Sequence, residues 1–180
     1  MSKQLIALLA IASIVSTVSA QPSESLSIAI ELVRAARHDE DSMDIFKLVI
    51  RQAAEKGGYS RRTSDCINQQ HYSAITIPIA RHLEMMLTSD ELKAALEFYR
   101  GSSGIKFRQS ARVRFAREQG LVTEEDSPRF TPEEQAAAKA FYATSAGEKL
   151  IRRNEFAKAF TSEPYKQLRS EMLEKCIAAN

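Results

Sequence analysis

The sequence predicts an all-α protein, a helical bundle of about seven or eight helices. Three observations point there: apolar residues recur at helical spacing along most of the chain, only 6 Gly and 5 Pro interrupt 180 residues, and one helix-break-helix stretch occurs twice. An apolar content of 44% at this length is enough to bury one core of ordinary domain size.

The first residues carry Lys3, an apolar run from Leu5 to Val15, and then Val18-Ser19-Ala20, small residues where a signal peptidase cuts. Residues 1–20 are therefore expected to be a signal peptide, and 21–180 a single helical domain. Ser13, Ser16 and Thr17 interrupt the run, which argues against the competing membrane anchor. Removing Lys3 lowers the formal charge of +2 by one, leaving no electrostatic footprint for nucleic acid. The expected location is periplasmic or secreted.

Leu26, Ala29, Ile30 and Val33 make the stripe of a first helix, which the polar run His38-Asp39-Glu40-Asp41-Ser42 is expected to end. Phe46, Val49, Ile50 and Ala53 form a second stripe, stopped by Gly57-Gly58. A third runs through Tyr72, Ile75, Ile79, Leu83 and Met86. Pro78 lies inside it and lacks an amide donor, so a kink or two abutting helices are expected. A last helix, from about Ser162, aligns Tyr165, Leu168, Met172 and Cys176.

Between these lies the duplication, with units at about 87–120 and 130–160. A shift of 43 residues superposes Thr88, Glu91, Ala94, Ala95, Phe98, Tyr99, Ser102, Gly104 and Lys106 on Thr131, Glu134, Ala137, Ala138, Phe141, Tyr142, Ser145, Gly147 and Lys149. Each unit opens with Thr-x-x-Glu, a capping box, and runs a helix into Phe-Tyr. Ser102 and Ser145 are placed to cap the next helix, and Lys106 and Lys149 to fold back on the carbonyl end of the preceding one. Glu124-Glu125-Asp126-Ser127-Pro128 reads as the linker.

The strings Leu87-Thr-Ser-Asp-Glu-Leu-Lys with Phe98-Tyr99-Arg-Gly-Ser102-Ser-Gly104, and Phe130-Thr-Pro-Glu-Glu with Phe141-Tyr142-Ala-Thr-Ser145-Ala-Gly147-Glu-Lys149, resemble the exported bacterial family called domain of unknown function 2059. The resemblance covers roughly Pro78 to Leu150, and departs from the family's look at Gly101-Ser102-Ser103. It implies an exported, helical, periplasmic protein and transfers no catalytic residue.

Candidate chemistry is sparse. Ser103-Gly104-Ile105-Lys106 has the Ser-x-x-Lys spacing of penicillin-binding enzymes, but the second unit has Ala146 at the nucleophile position, and Ser-Asp-Asn and Lys-Thr-Gly are absent. His38, His71 and His82 share no metal-ligand spacing, and no cofactor is expected. The acid pairs Asp90-Glu91 and Glu133-Glu134 are explained as first-turn acids beside a capping Thr. Phe98, Tyr99, Phe141 and Tyr142 either pack the core or line a ligand groove. Lys106, Arg108, Arg112, Arg114 and Arg117 make one helix basic, so Arg108 and Arg112 join the aromatics as a candidate binding surface for an anionic envelope polymer or envelope protein, unless the helix is simply solvated. Cys66 and Cys176 are an even pair in an exported chain and are expected to form a disulfide, with buried free thiols as the alternative.

The function expected is therefore a non-catalytic exported module binding an envelope component. An envelope enzyme acting on cell-wall or peptide substrate and a carrier of an apolar ligand are the other readings. Oligomeric state and partner identity have no sequence signal.

Overall fold

The structure is a computed structural model that describes residues 22–118 and 126–179. The expected signal segment with its cleavage position, and Glu124 and Glu125 of the expected linker, lie outside the described residues. Among the described residues there are ten α-helices, one π turn and no strand. The count exceeds the seven or eight expected, because one short helix has no apolar stripe of its own and the second unit breaks into short pieces.

Helix α1 (Glu24–Ala35) starts where Ser23 Oγ accepts from the Leu26 amide at 3.0 Å. It buries Leu26, Ala29, Leu32 and Val33, and packs against α4 (Ser73–Met86) and α5 (Ser89–Arg100), so it is the spine of the core. Helix α4 runs unbroken through Pro78 and buries Ile75, Ile79 and Leu83, while Tyr72 and Met86, expected in that stripe, stay on the surface.

Helix α2 (His38–Glu55) begins where the polar run was expected only to end α1. The polar run at 38–42 follows the end of α1 and forms the first turn of the next helix, because Arg37 takes a left-handed conformation (φ 53°) that turns the chain sharply after α1. Asp39, Glu40 and Asp41 then sit at the positive end of the helix dipole. The buried face is Asp39, Ser42, Met43, Phe46 and Ile50, which leaves Val49 47% exposed. Its polar members are satisfied: Thr76 Oγ1 donates to Asp39 Oδ2 at 2.6 Å, and Ser42 Oγ lies 2.5 Å from the Tyr165 hydroxyl.

Helix α3 (Arg61–Asn68), capped by Ser60, carries Cys66. It packs on α10 (Glu163–Ala178), whose Tyr165, Met172 and Cys176 are buried along the expected stripe. Cys66 and Cys176 are disulfide-bonded, with Cα atoms 5.6 Å apart.

The two segments expected to be copies begin alike. Helices α5 and α7 (Pro132–Tyr142) each carry the full capping box: in both, the Thr amide donates to a Glu oxygen at 2.8 Å and the Glu amide donates to the Thr hydroxyl at 3.3 Å. They then diverge. After α5 comes the single helix α6 (Ser102–Glu118); after α7 come α8 (Ser145–Gly147), the π turn Glu148–Arg152, a left-handed Asn154 (φ 56°) and α9 (Glu155–Ala159).

Candidate functional site

The residues shared by the two segments meet each other. Lys106 Nζ of the first donates to Glu134 Oε2 of the second at 2.5 Å, and Lys149 Nζ of the second donates to Glu91 Oε2 of the first at 2.7 Å. Neither lysine folds back onto its preceding helix as the sequence suggested. The box glutamates, held in place by their own Thr amides, present an ionised oxygen that attracts the opposite lysine more strongly than a neutral carbonyl does.

The serines follow the same exchange. Ser145 Oγ donates to Glu91 Oε1 at 2.5 Å, and Ser102 hydrogen-bonds Glu134. Ser145 is therefore not the expected cap. That role falls to Thr144, whose Oγ1 accepts from the Gly147 amide at 3.0 Å. Burial works upward on the Glu91 carboxyl, but Lys149, Ser145 and the Thr88 amide overcome it and hold it near 2.

The shared aromatics pack into this joint. The Phe98 and Phe141 rings stack with centroids 4.0 Å apart and planes 6° from parallel, and Tyr99 meets Phe141 edge-on at 6.3 Å. Tyr99 and Phe141 are buried; Phe98 and Tyr142 are half-buried, with Phe107 between their rings at 6.3 and 5.7 Å. Gly104 and Gly147 permit the close approach: a Cβ on either would lie 2.1 Å from the carbonyl oxygen of Phe98 or Phe141. These shared positions thus form a clasp between segments.

The Ser-x-x-Lys match falls inside that clasp. Ser103 is buried, and the Lys106 ammonium spends its donors on Glu134 and on the Arg129 carbonyl at 2.9 Å. A base needs a free amine, and this nitrogen is tied into an ion pair.

The other candidates, Arg108 and Arg112, lie one turn apart on α6 and face the corner between α1 and α2. With Arg37, Asp41 and Gln109 they line a concavity of about 130 Å³. Arg108 Nη1 donates to the Ala35 carbonyl at 3.1 Å, at the end of α1 where the dipole favours a cation. Arg37 is paired with Glu40 through its Nε and Nη2. Arg112 is exposed and has no contact ion pair among the described residues.

No protein-family model, curated protein or solved structure matches the chain.

Charge at this corner is crowded. Burial lowers the Arg108 pKa, and repulsion from Arg37 and Arg112 lowers it further, with Asp41 and Glu40 pulling the other way. Burial raises the Asp41 carboxyl to about 6 against the opposing pull of Arg112 and Arg37. Beneath them, His38 stacks on Phe156 at 3.7 Å, and burial followed by the field of Arg108 presses it down to about 3.

Asp41 lay in the polar run expected to end the first helix, and Arg37, directly before that run, carried no motif, so neither stood out as a site residue in the sequence. Three acids directly after a helix end were the available signal, since such a cluster suits a new helix start. The remaining histidines have partners elsewhere: His71 Nδ1 contacts Ser73 Oγ at 2.8 Å and His82 Nε2 contacts Glu155 Oε2 at 3.2 Å. No group of three or more His, Cys, Asp or Glu among the described residues could hold a metal ion.

Proposed function

We propose that the chain is an exported, non-catalytic helical module of the bacterial cell envelope that holds an anionic envelope component at the α2–α6 corner. The observation that carries this reading is the convergence of Arg37, Arg108 and Arg112 on one concave polar surface. Guanidinium forks match carboxylate and phosphate oxygens in pairs, and two of the three make no acid contact among the described residues.

Export is supported by the signal-like residues 1–20, by the resemblance to the family called domain of unknown function 2059, and by a disulfide, a bond that persists in oxidising compartments. The exchanged Lys-Glu and Ser-Glu contacts support reading the two segments as copies of one ancestral unit. No helix among the described residues is long and apolar enough to cross a membrane. The carrier reading needed Phe98 and Phe141 to line a cavity, and their rings cover each other instead.

The enzyme reading has one observation in its favour, an aspartate poised near neutrality in a concavity, the kind of group that serves as a general acid. Turnover of cell-wall or peptide substrate that vanishes in Asp41→Asn would establish it.

The module reading is tested by sedimenting the purified mature protein with isolated envelope fragments. Retention is expected to fall as salt rises and to drop in the Arg108→Ala, Arg112→Ala double variant. Equal retention of that variant overturns the reading. The intact mass of the exported protein is expected to correspond to a chain beginning at Gln21; a mass that includes Met1 to Ala20 overturns the signal peptide.

A further inference from the structure

We infer that the α2–α6 concavity is a site for a phosphate group that still carries a proton, as a phosphate monoester or hydrogen phosphate, with Arg108 and Arg112 on its oxygens and Asp41 accepting from its P–OH. The inference deepens the envelope reading and rests on it only for the source of the phosphate.

Size is the first argument. About 130 Å³ accommodates a tetrahedral oxyanion, whereas pockets for larger organic ligands run to roughly 300–1,000 Å³.

The second is unspent donor capacity under electrostatic strain. Arg37 leans on Glu40, and one Arg108 nitrogen is taken by Ala35, but Arg108, Arg112 and Gln109 line the concavity, and neither Arg108 nor Arg112 has an acid in contact among the described residues. Arg37 and Arg112 both repel the Arg108 guanidinium. A small anion relieves that repulsion and satisfies the forks together.

The third is Asp41, which makes the site selective. Its carboxylate lines the same concavity and accepts no hydrogen bond at contact distance from a described side chain. The charged groups that act on it are Arg37 before its helix, Asp44 on its own helix, and Arg108 and Arg112 across on α6; Glu40, the other acid of the corner, is turned to Arg37. An ionised carboxylate only accepts. Sulfate brings only acceptors, so it pairs with Asp41 only after that carboxylate takes a proton from solvent, an uptake disfavoured at pH 7. Phosphate near neutral pH, with its second ionisation close to that of Asp41, lets the two groups share one proton in a single hydrogen bond.

The test is calorimetric titration of the mature, disulfide-bonded protein at pH 7 and matched ionic strength with inorganic phosphate, phenyl phosphate and sulfate. Phosphate is expected to bind, and sulfate to bind more weakly by about tenfold or more, because sulfate brings no proton and Asp41 must be protonated from solvent to meet it. Asp41→Asn, which supplies an amide donor, is expected to raise sulfate affinity and close the gap, while Arg108→Ala with Arg112→Ala loses both anions. Helical circular dichroism of each variant confirms the fold. Equal wild-type affinities for the two anions, or no phosphate binding, overturn the inference even if envelope sedimentation succeeds. Phosphate selectivity without envelope retention leaves it standing and overturns the envelope reading instead. Vesicles of phosphatidylcholine with and without phosphatidic acid separate the sources: retention only with phosphatidic acid supports a lipid monoester, and none beside phosphate binding supports a soluble or polymer-borne one.

Discussion

Asp41 and His38 share one corner of the molecule and tilt its stability with pH in opposite directions. The folded chain holds the Asp41 proton up to about 6 from an ordinary 3.8, so its stabilising contribution is present at low pH and is lost as pH rises through that window. His38 runs oppositely. The unfolded chain takes its proton near 6.5 while the folded chain stays neutral down to about 3, so stability is present above 6.5 and is lost as pH falls. Between about 4 and 6 the two slopes offset. Asp41→Asn removes one, so urea midpoints of that variant are expected to rise with pH across this range where wild type stays comparatively flat. Parallel profiles for the two proteins would refute the assignment. A second single-residue test concerns Gly104, where the Cβ of Ala meets backbone rather than a flexible side-chain end. Gly104→Ala is expected to cost about 3 kcal/mol in urea unfolding, the upper part of the range for overpacking, with Gly147→Ala alike.

At the scale of elements, the caps and the clasp are one device. Glu91 and Glu134 each complete a capping box and also receive the lysine of the other segment, so the carboxylate that starts a helix also fixes where the next hairpin docks. Thr131→Ala is expected to cost about 1 kcal/mol by calorimetric or urea unfolding. A double-mutant cycle on Lys149 and Glu91 is expected to return about 1 kcal/mol of coupling, above that of an exposed surface pair because both side chains are largely covered. Much of this architecture was legible in the chain. The boxes and the last helix follow from short-range pattern, which sequence records directly, and the pairing of two cysteines follows from their even number in a chain expected to be exported. The lysine partners were not legible, since spacing says which residues are alike and not which ones meet across a fold. Helix α3 was missed because its buried residues, Thr63, Ser64 and Ile67, are mostly polar and leave no apolar stripe. The break of the second unit after Gly147 has no counterpart in the first, and nothing in the residues around Leu150 signals a π turn.

For the whole molecule, the disulfide is the longest covalent constraint, joining residues 110 apart in sequence. It fastens α10 to α3, yet α10 has other holds: Tyr165 is buried against α2 through Ser42, the Arg169 guanidinium lies 4.4 Å from the Phe46 ring centroid, and Met172 enters the core. The spine of α1, α4 and α5 includes neither cysteine. Reduction should therefore loosen the chain's unfolded state far more than it disturbs the folded one. Closing a loop of this length is worth about 4 to 5 kcal/mol at most by chain entropy, and measured effects run smaller. For a protein of this size that corresponds to a fall in Tm of roughly 10–20 °C at the upper limit. The reduced protein, or the Cys66→Ser, Cys176→Ser double variant, is accordingly expected to keep its helical circular dichroism at 25 °C and to melt earlier within that span. Loss of helical signal at 25 °C would mean that α10 and α3 depend on the bridge to fold at all, and an unchanged Tm would mean that packing around Tyr165 and Met172 already holds the two ends as firmly as the sulfur bond.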